Sequence, residues 1–268
     1  MIPVPTGATR LHIIIGDPIA QVRAPAGVSR AFAERGSDAI LVPVQVAPVD
    51  LAGFLATATR VKNLDGIVAT IPHKFACYRA CATATERAHF IGAVNLMRRS
   101  PNGGWHGDMV DGLGFVGAAR AKGFDPNGTR ALQIGAGGAG SAIALALIDA
   151  GVRELAIHDS DAGRRDALIA RLNERGRGRA LIGAMDATGF DLVANATPAG
   201  MQPGDPLPVD MATVSPSAYC GCVITRPEVS PFIAAARERG CLTATGTDMY
   251  RALERVMVDF LLSRQPPS

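Results

Sequence analysis

The sequence has few aromatic residues and little net charge, and both features limit its partners. Of its 268 residues 5% are aromatic, and the formal net charge is +3. A nucleic-acid-binding protein would need a basic patch with interleaved aromatic side chains. The basic stretch at residues 164–179, RRDALIARLNERGRGR, contains no aromatic residue and is typical of a solvated helix face followed by a turn. We therefore expect no nucleic-acid partner.

Membrane-spanning runs, secretion signals and metal motifs are also lacking. An uncharged run of 18 residues, Ala131 to Ile148, contains four glycines and a strand–loop–helix pattern, which argues against a membrane span. The first residues lack the basic, apolar and small-residue order of a signal peptide. The five cysteines show no metal-ligand spacing, and their odd number favours reduced thiols. These features predict a cytoplasmic protein with no membrane partner and no metal.

Lysine is scarce enough to make each one informative. Lys62, Lys74 and Lys122 are the only three, so 24 of the 27 basic residues are arginines. Arginine stays protonated in proteins, whereas a partly buried lysine can shift its pKa and exchange a proton. Lys74 ends the run VATIPHK at residues 68–74 and is a candidate for proton transfer. Chance is the alternative, because the other two lysines have no evident role.

The chain contains alternating apolar runs and amphipathic segments, which imply α/β folding with mainly parallel sheets. A first series has strands predicted at 11–16, 39–46, 66–71, 89–99 and 105–109 and helices at 25–36 and 49–62. A second series has helices predicted at 112–124, 140–150 and 162–176 and strands at 130–135, 153–158, 179–183, 190–195 and 219–224. Two α/β units with a boundary near residue 112 follow, and an amphipathic segment at 247–263 can pack on either.

The turn GAGGAG at residues 135–140 follows a predicted strand and opens a predicted helix. In such a turn Gly135 allows the tight bend, Gly137 lets backbone N–H groups approach a pyrophosphate, and Gly140 lets the helix pack on the strand. Asp159 ends the next strand, about 20 residues further on, where a carboxylate can bond the adenine ribose. The pattern predicts a dinucleotide site, although Asp159 and Asp161 can also be turn and N-cap residues.

The same carboxylate bears on the choice of cofactor. Asp159 would repel a 2′-phosphate, so NAD is predicted in preference to NADP. Arg164 and Arg165 lie nearby in the sequence and weaken this preference.

Seven motifs in order give the sequence a family resemblance: GDPIAQVRAP (16–25), ATIPHK (69–74), GAVN (92–95), GDMVDGLGF (107–115), GAGGAG (135–140), NATPAGM (195–201) and GTDMYRAL (246–253). On these motifs the chain resembles shikimate/quinate dehydrogenases over nearly its whole length. The resemblance implies an N-terminal α/β substrate domain with a mainly parallel sheet (1–111), a Rossmann-type doubly wound domain (112–246) and a C-terminal segment (247–268) that packs back on the first domain. It also implies a small-molecule substrate and a monomer or homodimer.

The resemblance assigns roles to individual residues. Lys74 corresponds to the catalytic acid/base and Asp111 to its carboxylate partner, while Thr70 and Asn95 fall where the family holds ring hydroxyls. Oxidising an alcohol by hydride transfer requires a group that removes the hydroxyl proton, which lysine can do and arginine cannot. The implied cofactor contacts are Gly135, Ala136, Gly137, Gly138, Ala139, Gly140, Asp159, Thr197, Val223, Gly246 and Met249. Each of three residues also has a purely structural alternative. Asn95 can cap a turn, Asp111 can be the N-cap of the helix that follows, and Thr70 can be an ordinary strand residue.

The chain departs from the family pattern where the substrate carboxylate should bind. The family's Ser-x-Ser pair is replaced by Val22 and Ala24, with Arg23 between them. Apolar residues also stand at the other substituted substrate positions, Val68, Met109, Val110 and Leu253, and Thr225 replaces a tyrosine. Each lost charge-assisted hydrogen bond costs about 1.5–3 kcal/mol, so either a hydroxyl or carbonyl substrate other than shikimate or weak binding of shikimate is predicted. Arg23 could rescue carboxylate binding, but a strand-like alternation would point it away from the Val22 and Ala24 side.

Two other functions stay open at this stage. One is an ordinary biosynthetic shikimate dehydrogenase, which would reduce dehydroshikimate with NADPH. The other is a non-catalytic sensor of dinucleotides or metabolites. Retention of both Lys74 and Asp111 argues against a sensor, since binding alone needs no proton transfer.

Overall fold

The computed structural model describes residues 4–263. Within the described residues the chain forms two compact units: unit 1 takes in residues 4–110 and 253–263, and unit 2 takes in Asp111–Ala252. Both are α/β units built on six-stranded sheets, which confirms the predicted fold class. Residues 264–268 of the predicted C-terminal segment lie outside the described residues.

Unit 1 contains a mixed sheet in which three of the five strand pairs are parallel. Its strand order is β2-β1-β3-β5-β6-β4; β1 pairs in parallel with β2 and β3, and β4 with β6, whereas β5 is antiparallel to β3 and β6. The elements are β1 Arg10–Gly16, α1 Ala24–Glu34, β2 Ala39–Gln45, α2 Leu51–Ala58, β3 Leu64–Ala69, α3 Lys74–Arg79, β4 Thr83–Ala84, α4 Glu86–Ile91, β5 Leu96–Arg99 and β6 Trp105–Asp108.

The position of each strand agrees with its sequence. In β1 the consecutive residues Ile13, Ile14 and Ile15 are all buried, because an interior strand of a sheet is covered on both faces. Strand β2 contains Pro43 and lies at the edge of the sheet, where a residue without an N–H donor is tolerated.

The prediction of a strand at 89–99 is wrong over its first part. Residues Glu86–Ile91 form α4, because the Thr85 hydroxyl accepts a hydrogen bond from the Ala88 N–H and Gly92 ends the helix with a φ of +72°. A threonine N-cap and a left-handed glycine are ordinary helix boundaries. The apolar residues that follow belong to β5. The predicted strand at 89–99 therefore combines the end of a helix with the start of a strand.

Unit 2 contains a parallel sheet in the order β12-β11-β10-β7-β8-β9. The strand order reverses between β7 and β10, which makes the sheet doubly wound and puts a ligand-binding crevice at the carboxyl ends of these strands. The elements are α5 Asp111–Ala121, β7 Arg130–Ile134, α6 Gly138–Asp149, β8 Glu154–His158, α7 Ala162–Glu174, β9 Arg179–Ile182, β10 Leu192–Asn195, β11 Tyr219–Cys222, α8 Pro231–Glu238 and β12 Leu242–Ala244. The last helix, α9 Gly246–Leu262, begins in unit 2, and its residues from Leu253 onward belong to unit 1.

Helices α5 and α6 approach each other closely within unit 2. A Cβ atom added at Gly112 would lie 2.1 Å from the Ala142 carbonyl oxygen and 2.7 Å from the Ala146 Cβ. Only glycine permits this approach, so Gly112 sets the position of α5 against the helix that follows the glycine-rich turn.

Three properties of the described residues bear on function. None of the helices within residues 4–263 is long and apolar enough to cross a bilayer. The same part of the chain holds no group of three or more His, Cys, Asp or Glu side chains suited to a metal ion. Each of the five cysteines is a free thiol.

Candidate active site

Lys74 lies at the carboxyl end of β3 in unit 1. It is the first residue of α3 and is partly buried. The loop before it is fixed to the end of β1, since the Thr70 N–H donates to the Ile15 carbonyl at 2.9 Å and the Asp17 N–H donates to the Ile71 carbonyl at 3.0 Å. The Lys74 carbonyl accepts from the Val94 N–H at 3.1 Å. The main chain of this lysine is therefore held on both sides.

Thr70 and Asn95 lie near Lys74 at the same edge of this sheet. Thr70 follows β3, and Asn95 immediately precedes β5, which is antiparallel to β3; the Ala69 N–H donates to the Asn95 carbonyl at 2.8 Å. Asn95 is buried, and its Oδ1 accepts from the Val110 N–H at 3.0 Å. The structure thus brings three predicted site residues of unit 1 to one edge.

A buried carboxylate holds the chain that leads to Asp111. Asp108 Oδ1 accepts hydrogen bonds from Thr85 Oγ1 at 2.6 Å, from Arg87 Nε at 2.8 Å and from the Met109 N–H at 2.7 Å. The guanidinium of Arg87 also pairs with Asp108 Oδ2. Asp111 follows as the buried first residue of α5 in unit 2. Its pairing with Lys74 stays a prediction.

Apolar side chains occupy the positions expected to bind the substrate carboxylate. Val22 is half-buried in the loop after β1, Ala24 is the buried first residue of α1, and Val68 is buried in β3. Met109, Val110 and Leu253 are also buried, and Thr225 is half-buried.

The expected strand-like alternation of residues 22–24 is wrong. Arg23 is the N-cap of α1 with φ −104° and ψ −22°, because the chain turns directly into the helix, with Pro25 in its first turn. Its side chain is exposed, and the argument that alternation points it away from the site does not apply.

The glycine-rich turn in unit 2 gives each glycine a distinct geometry. Gly135 has a φ of +105°, so it makes the bend, and a Cβ on Gly140 would lie 2.2 Å from the Gly135 carbonyl oxygen. A Cβ on Gly137 would meet no atom within 4 Å, and Gly137 caps α6, with Gly138 and Ala139 beginning its first turn. This open space at a helix N-terminus fits a pyrophosphate group.

Gln133 and Asn195 support the turn and were missed by the sequence analysis. Gln133 is fully buried in β7, and its Nε2 donates to the carbonyls of Gly135 and Gly140, both at 2.8 Å. Asn195 Oδ1 accepts from the Thr197 hydroxyl at 2.7 Å and from its N–H at 3.1 Å. The signal that could have found both residues is an amide side chain within an apolar strand that ends at a predicted loop.

Three predicted cofactor residues, Thr197, Val223 and Gly246, lie close to strand ends in unit 2. Thr197 lies beside the turn, since a Cβ on Gly135 would be 2.9 Å from its Cγ2. Gly246 lies against the β11 exit, where a Cβ would meet the Ile224 carbonyl oxygen at 2.4 Å and that of Val223 at 2.6 Å. Met249 is buried in α9. Their contacts with a dinucleotide stay predictions.

Asp159 contacts the glycine-rich turn itself. Its Oδ2 accepts from the Ala136 N–H at 2.6 Å, and its Oδ1 accepts from the Asp161 N–H and from Arg164 Nη2, both at 2.8 Å. Burial by itself would raise the pKa of this carboxyl, but the hydrogen bonds from Arg164, Ala136 and Asp161 outweigh it and the net pKa is lowered. Asp159 therefore stays a carboxylate. Asp161 is the N-cap of α7, as one alternative had it.

Comparison with known proteins adds independent observations. The profile of the shikimate dehydrogenase substrate binding domain matches residues 14–97. The chain is 36% identical over 259 residues to a shikimate dehydrogenase (NADP(+)) of Rubrobacter xylanophilus, covering 92% of this chain and 89% of that protein. Ligand-free 5-ketofructose reductase of Gluconobacter sp. strain CHM43 superposes with a TM-score of 0.82 at 28% identity, covering 98% and 96% of the two chains. Quinate dehydrogenase from Corynebacterium glutamicum in complex with NAD gives 0.82 at 26% identity, covering 97% and 95%.

Proposed function

This chain belongs to the shikimate dehydrogenase family, and from that membership we propose that it transfers a hydride between NAD(P) and a hydroxyl or keto carbon of a small cyclic hydroxy compound. It is an NAD(P)-dependent oxidoreductase acting on CH–OH donors. The observation that carries the proposed chemistry is that Lys74, Thr70 and Asn95 all lie at one edge of the unit 1 sheet. The glycine-rich turn of unit 2 supports the proposed dinucleotide site.

The residues of the turn fit a dinucleotide. Gly137 leaves room for a pyrophosphate, and the first N–H groups of α6 point toward it. Asp159 stands at the end of β8, where the ribose would lie. The bound dinucleotide supplies the ring carbon that accepts or donates the hydride.

Lys74 performs the proton transfer in the proposed mechanism. In the oxidation direction its amine takes the proton of the substrate hydroxyl while the hydride leaves the same carbon, and in the reduction direction its ammonium returns the proton to the oxygen. Asp111 orients the amine and compensates its charge when protonated. Thr70 and Asn95 fix the neighbouring hydroxyls, which limits the reacting carbon to one orientation.

The proposed substrate is an uncharged polyol or keto compound instead of a carboxylic acid. Val22, Ala24 and Val68 offer no hydrogen-bond donor from their side chains, and a carboxylate placed against them would lose its hydration without compensation. The likeness to 5-ketofructose reductase supports this reading, because that name denotes reduction of a keto sugar.

An ordinary shikimate dehydrogenase is an equally supported function. The relative in Rubrobacter xylanophilus carries that name at 36% identity, and Lys74, Asp111, Thr70 and Asn95 are all retained. In that case Arg23 or another group would bind the carboxylate.

A kinetic panel decides between the two substrates. Initial rates are measured with shikimate, quinate, their dehydro forms, and neutral polyols and ketoses, each with both cofactors. The matched variant is V22S/A24S, which restores the hydroxyl pair. If the substrate is neutral, wild type turns over shikimate poorly and the double variant raises kcat/KM for shikimate by about tenfold or more, the scale of one charge-assisted hydrogen bond. Efficient wild-type turnover of shikimate with a low KM contradicts the neutral-substrate proposal.

Cofactor preference rests on a different group. The name of the Rubrobacter xylanophilus relative, shikimate dehydrogenase (NADP(+)), favours NADP as the cofactor of this chain. The Asp159 carboxylate, which stays charged beside the turn, would instead repel the 2′-phosphate of NADP. We infer a preference for NAD, which Arg164 reduces by pairing with Asp159. The ratio of kcat/KM for NAD to that for NADP measures this preference, and a ratio below one contradicts it.

The free thiols support the proposal of a reducing, cytoplasmic setting.

A further inference from the structure

His73 is a buried imidazole directly before Lys74, and the proposed reaction does not use it. Its side chain is 1% exposed, and its Nε2 lies 2.7 Å from the carbonyl oxygen of Val46. A carbonyl can only accept, so Nε2 carries a hydrogen and donates it. Val46 is the residue that follows β2. The imidazole therefore connects the loop after β3 to the end of β2.

This hydrogen bond completes a set that joins three parallel strands at the lysine. The His73 N–H donates to the Thr70 carbonyl at 2.8 Å, and the Thr70 N–H donates to the Ile15 carbonyl at the end of β1 at 2.9 Å. The Val46 N–H donates to the Gly16 carbonyl at 3.2 Å. In this set His73 supplies the side-chain link, and the other bonds are between main-chain groups.

We propose that His73 is a positioning residue that fixes the start of α3 and so directs the Lys74 amine; the inference rests on the proposed function of Lys74. Helix α3 has six residues, too few to be stable by itself. Its first turn closes on His73, whose carbonyl accepts from the Cys77 N–H at 2.9 Å. An anchor at residue 73 therefore determines where residue 74 begins, and a displacement of about 1 Å can cost 10²-fold in rate.

The geometry distinguishes positioning from a second acid/base role. Nε2 points into the protein at a main-chain carbonyl, and the bond requires a hydrogen that Nε2 carries in both the Nε2–H tautomer and the imidazolium. The link to Val46 therefore does not depend on proton exchange. A glutamine places an N–H donor at a reach similar to Nε2, whereas asparagine is too short and leucine has no donor.

The first test does not need a substrate. Selective labelling of lysine with ¹³C at Cε gives signals from Lys62, Lys74 and Lys122, which Lys→Arg variants assign. In H73L and H73N the Lys74 signal is expected to move or broaden while the other two stay in place, and in H73Q it returns to the wild-type position. The matched control is H106L, which removes another buried histidine of unit 1, bonded through Nδ1 to Thr83 Oγ1 at 2.9 Å, and should leave the Lys74 signal unchanged.

The second test is kinetic. H73L and H73N are expected to lower kcat by about 10- to 100-fold with the KM for the dinucleotide unchanged, and H73Q should recover most of the loss. If K74A retains full turnover, the proposed function fails. If K74A is inactive but folded H73N keeps both wild-type kcat and the wild-type Lys74 signal, the positioning role alone is overturned. If H73L does not fold, the comparison is made between H73N and H73Q.

Discussion

At the scale of single residues, the choice of lysine at position 74 has a direct chemical meaning. Of the 27 basic residues in the chain, 24 are arginines, so a lysine as the first residue of α3 is an exception. Arginine could hold a substrate oxygen but could not exchange its proton near neutral pH. The distinction can be measured, because charge and length are nearly conserved between the two side chains.

We expect Lys74→Arg to lower turnover by 10²-fold or more, the usual scale for a lost acid/base group, while dinucleotide affinity is unchanged. Steady-state rates give the first quantity and fluorescence titration with the reduced dinucleotide gives the second. Lys62→Arg, at an exposed position, is the matched control. Full activity of the Lys74 variant would exclude proton transfer by this residue.

A second residue-scale prediction concerns pH and stability. His12 lies buried in β1 with its ring centroid 4.6 Å from that of Phe32, and its Nδ1 has no hydrogen-bond partner among the described residues. Burial lowers its pKa from 6.5 to about 4, with Asp65 opposing and Arg10 adding to the shift. The unfolded chain therefore binds this proton first as the pH falls.

The stability that His12 contributes is complete above pH 6.5 and is lost progressively as the pH falls toward 4. Its size is about 3 kcal/mol, from 1.36 kcal/mol for each pKa unit. Urea unfolding at pH 7 and pH 4.5 measures the change. His12→Leu should have a smaller difference between the two pH values, and an equal difference in both proteins would contradict the prediction.

At the scale of secondary structure elements, glycine controls how closely α5 and α6 pack. A Cβ at Gly112 would lie 2.1 Å from a main-chain oxygen of α6, which cannot move without moving the helix. We expect Gly112→Ala to reduce the free energy of unfolding by about 2 kcal/mol or more, as overpacking does.

The matched control for this substitution is Gly163→Ala. Gly163 is exposed in α7, and a Cβ there meets its nearest neighbour, Asp161 Oδ1, at an ordinary 3.5 Å. Its replacement should be neutral or stabilise the protein by up to about 1 kcal/mol through helix propensity. Denaturation midpoints of both variants measure the change in stability. Equal stability of the two variants would refute the proposal that Gly112 is required for the close packing of α5 on α6.

At the scale of the whole molecule, different roles are proposed for the two units. Dinucleotide binding is proposed for unit 2 and proton transfer for Lys74 of unit 1, so a cofactor should protect unit 2 first. We expect NAD to slow amide hydrogen exchange mainly in β7 and α6. At a concentration 100-fold above its Kd, a ligand that binds only the folded state adds about 2.7 kcal/mol of stability.

Gly137→Ala separates binding from folding in this experiment. An added Cβ meets no protein atom within 4 Å, so the variant should be as stable as wild type without cofactor. Because the methyl group enters the space proposed for the pyrophosphate, the protection by NAD should be lost. Wild-type protection in this variant would mean that the dinucleotide does not lie against the turn.

The features that were predicted correctly depend on residues that lie close together in the sequence. Strand β1 contains three consecutive isoleucines at residues 13–15, and Gly135, Gly137 and Gly140 have stereochemical roles that follow from their spacing. The prediction failed at residues 89–91, because only four residues separate α4 from β5 and Asn95 alone among them is polar, and it did not find α8 or β12. Short elements carry too few residues for a periodic pattern to be distinguished.

The sequence by itself determined the α/β alternation, the glycine-rich turn and a lysine placed after β3, because each depends on residues that are neighbours in the chain. Only the tertiary structure decided that His73 donates to Val46, 27 positions away, and that Asp159 accepts from Ala136, 23 positions away. Such bonds depend on which strand ends come together in space. Periodicity describes one element at a time, and the partner of a buried polar group is chosen by the packing of several.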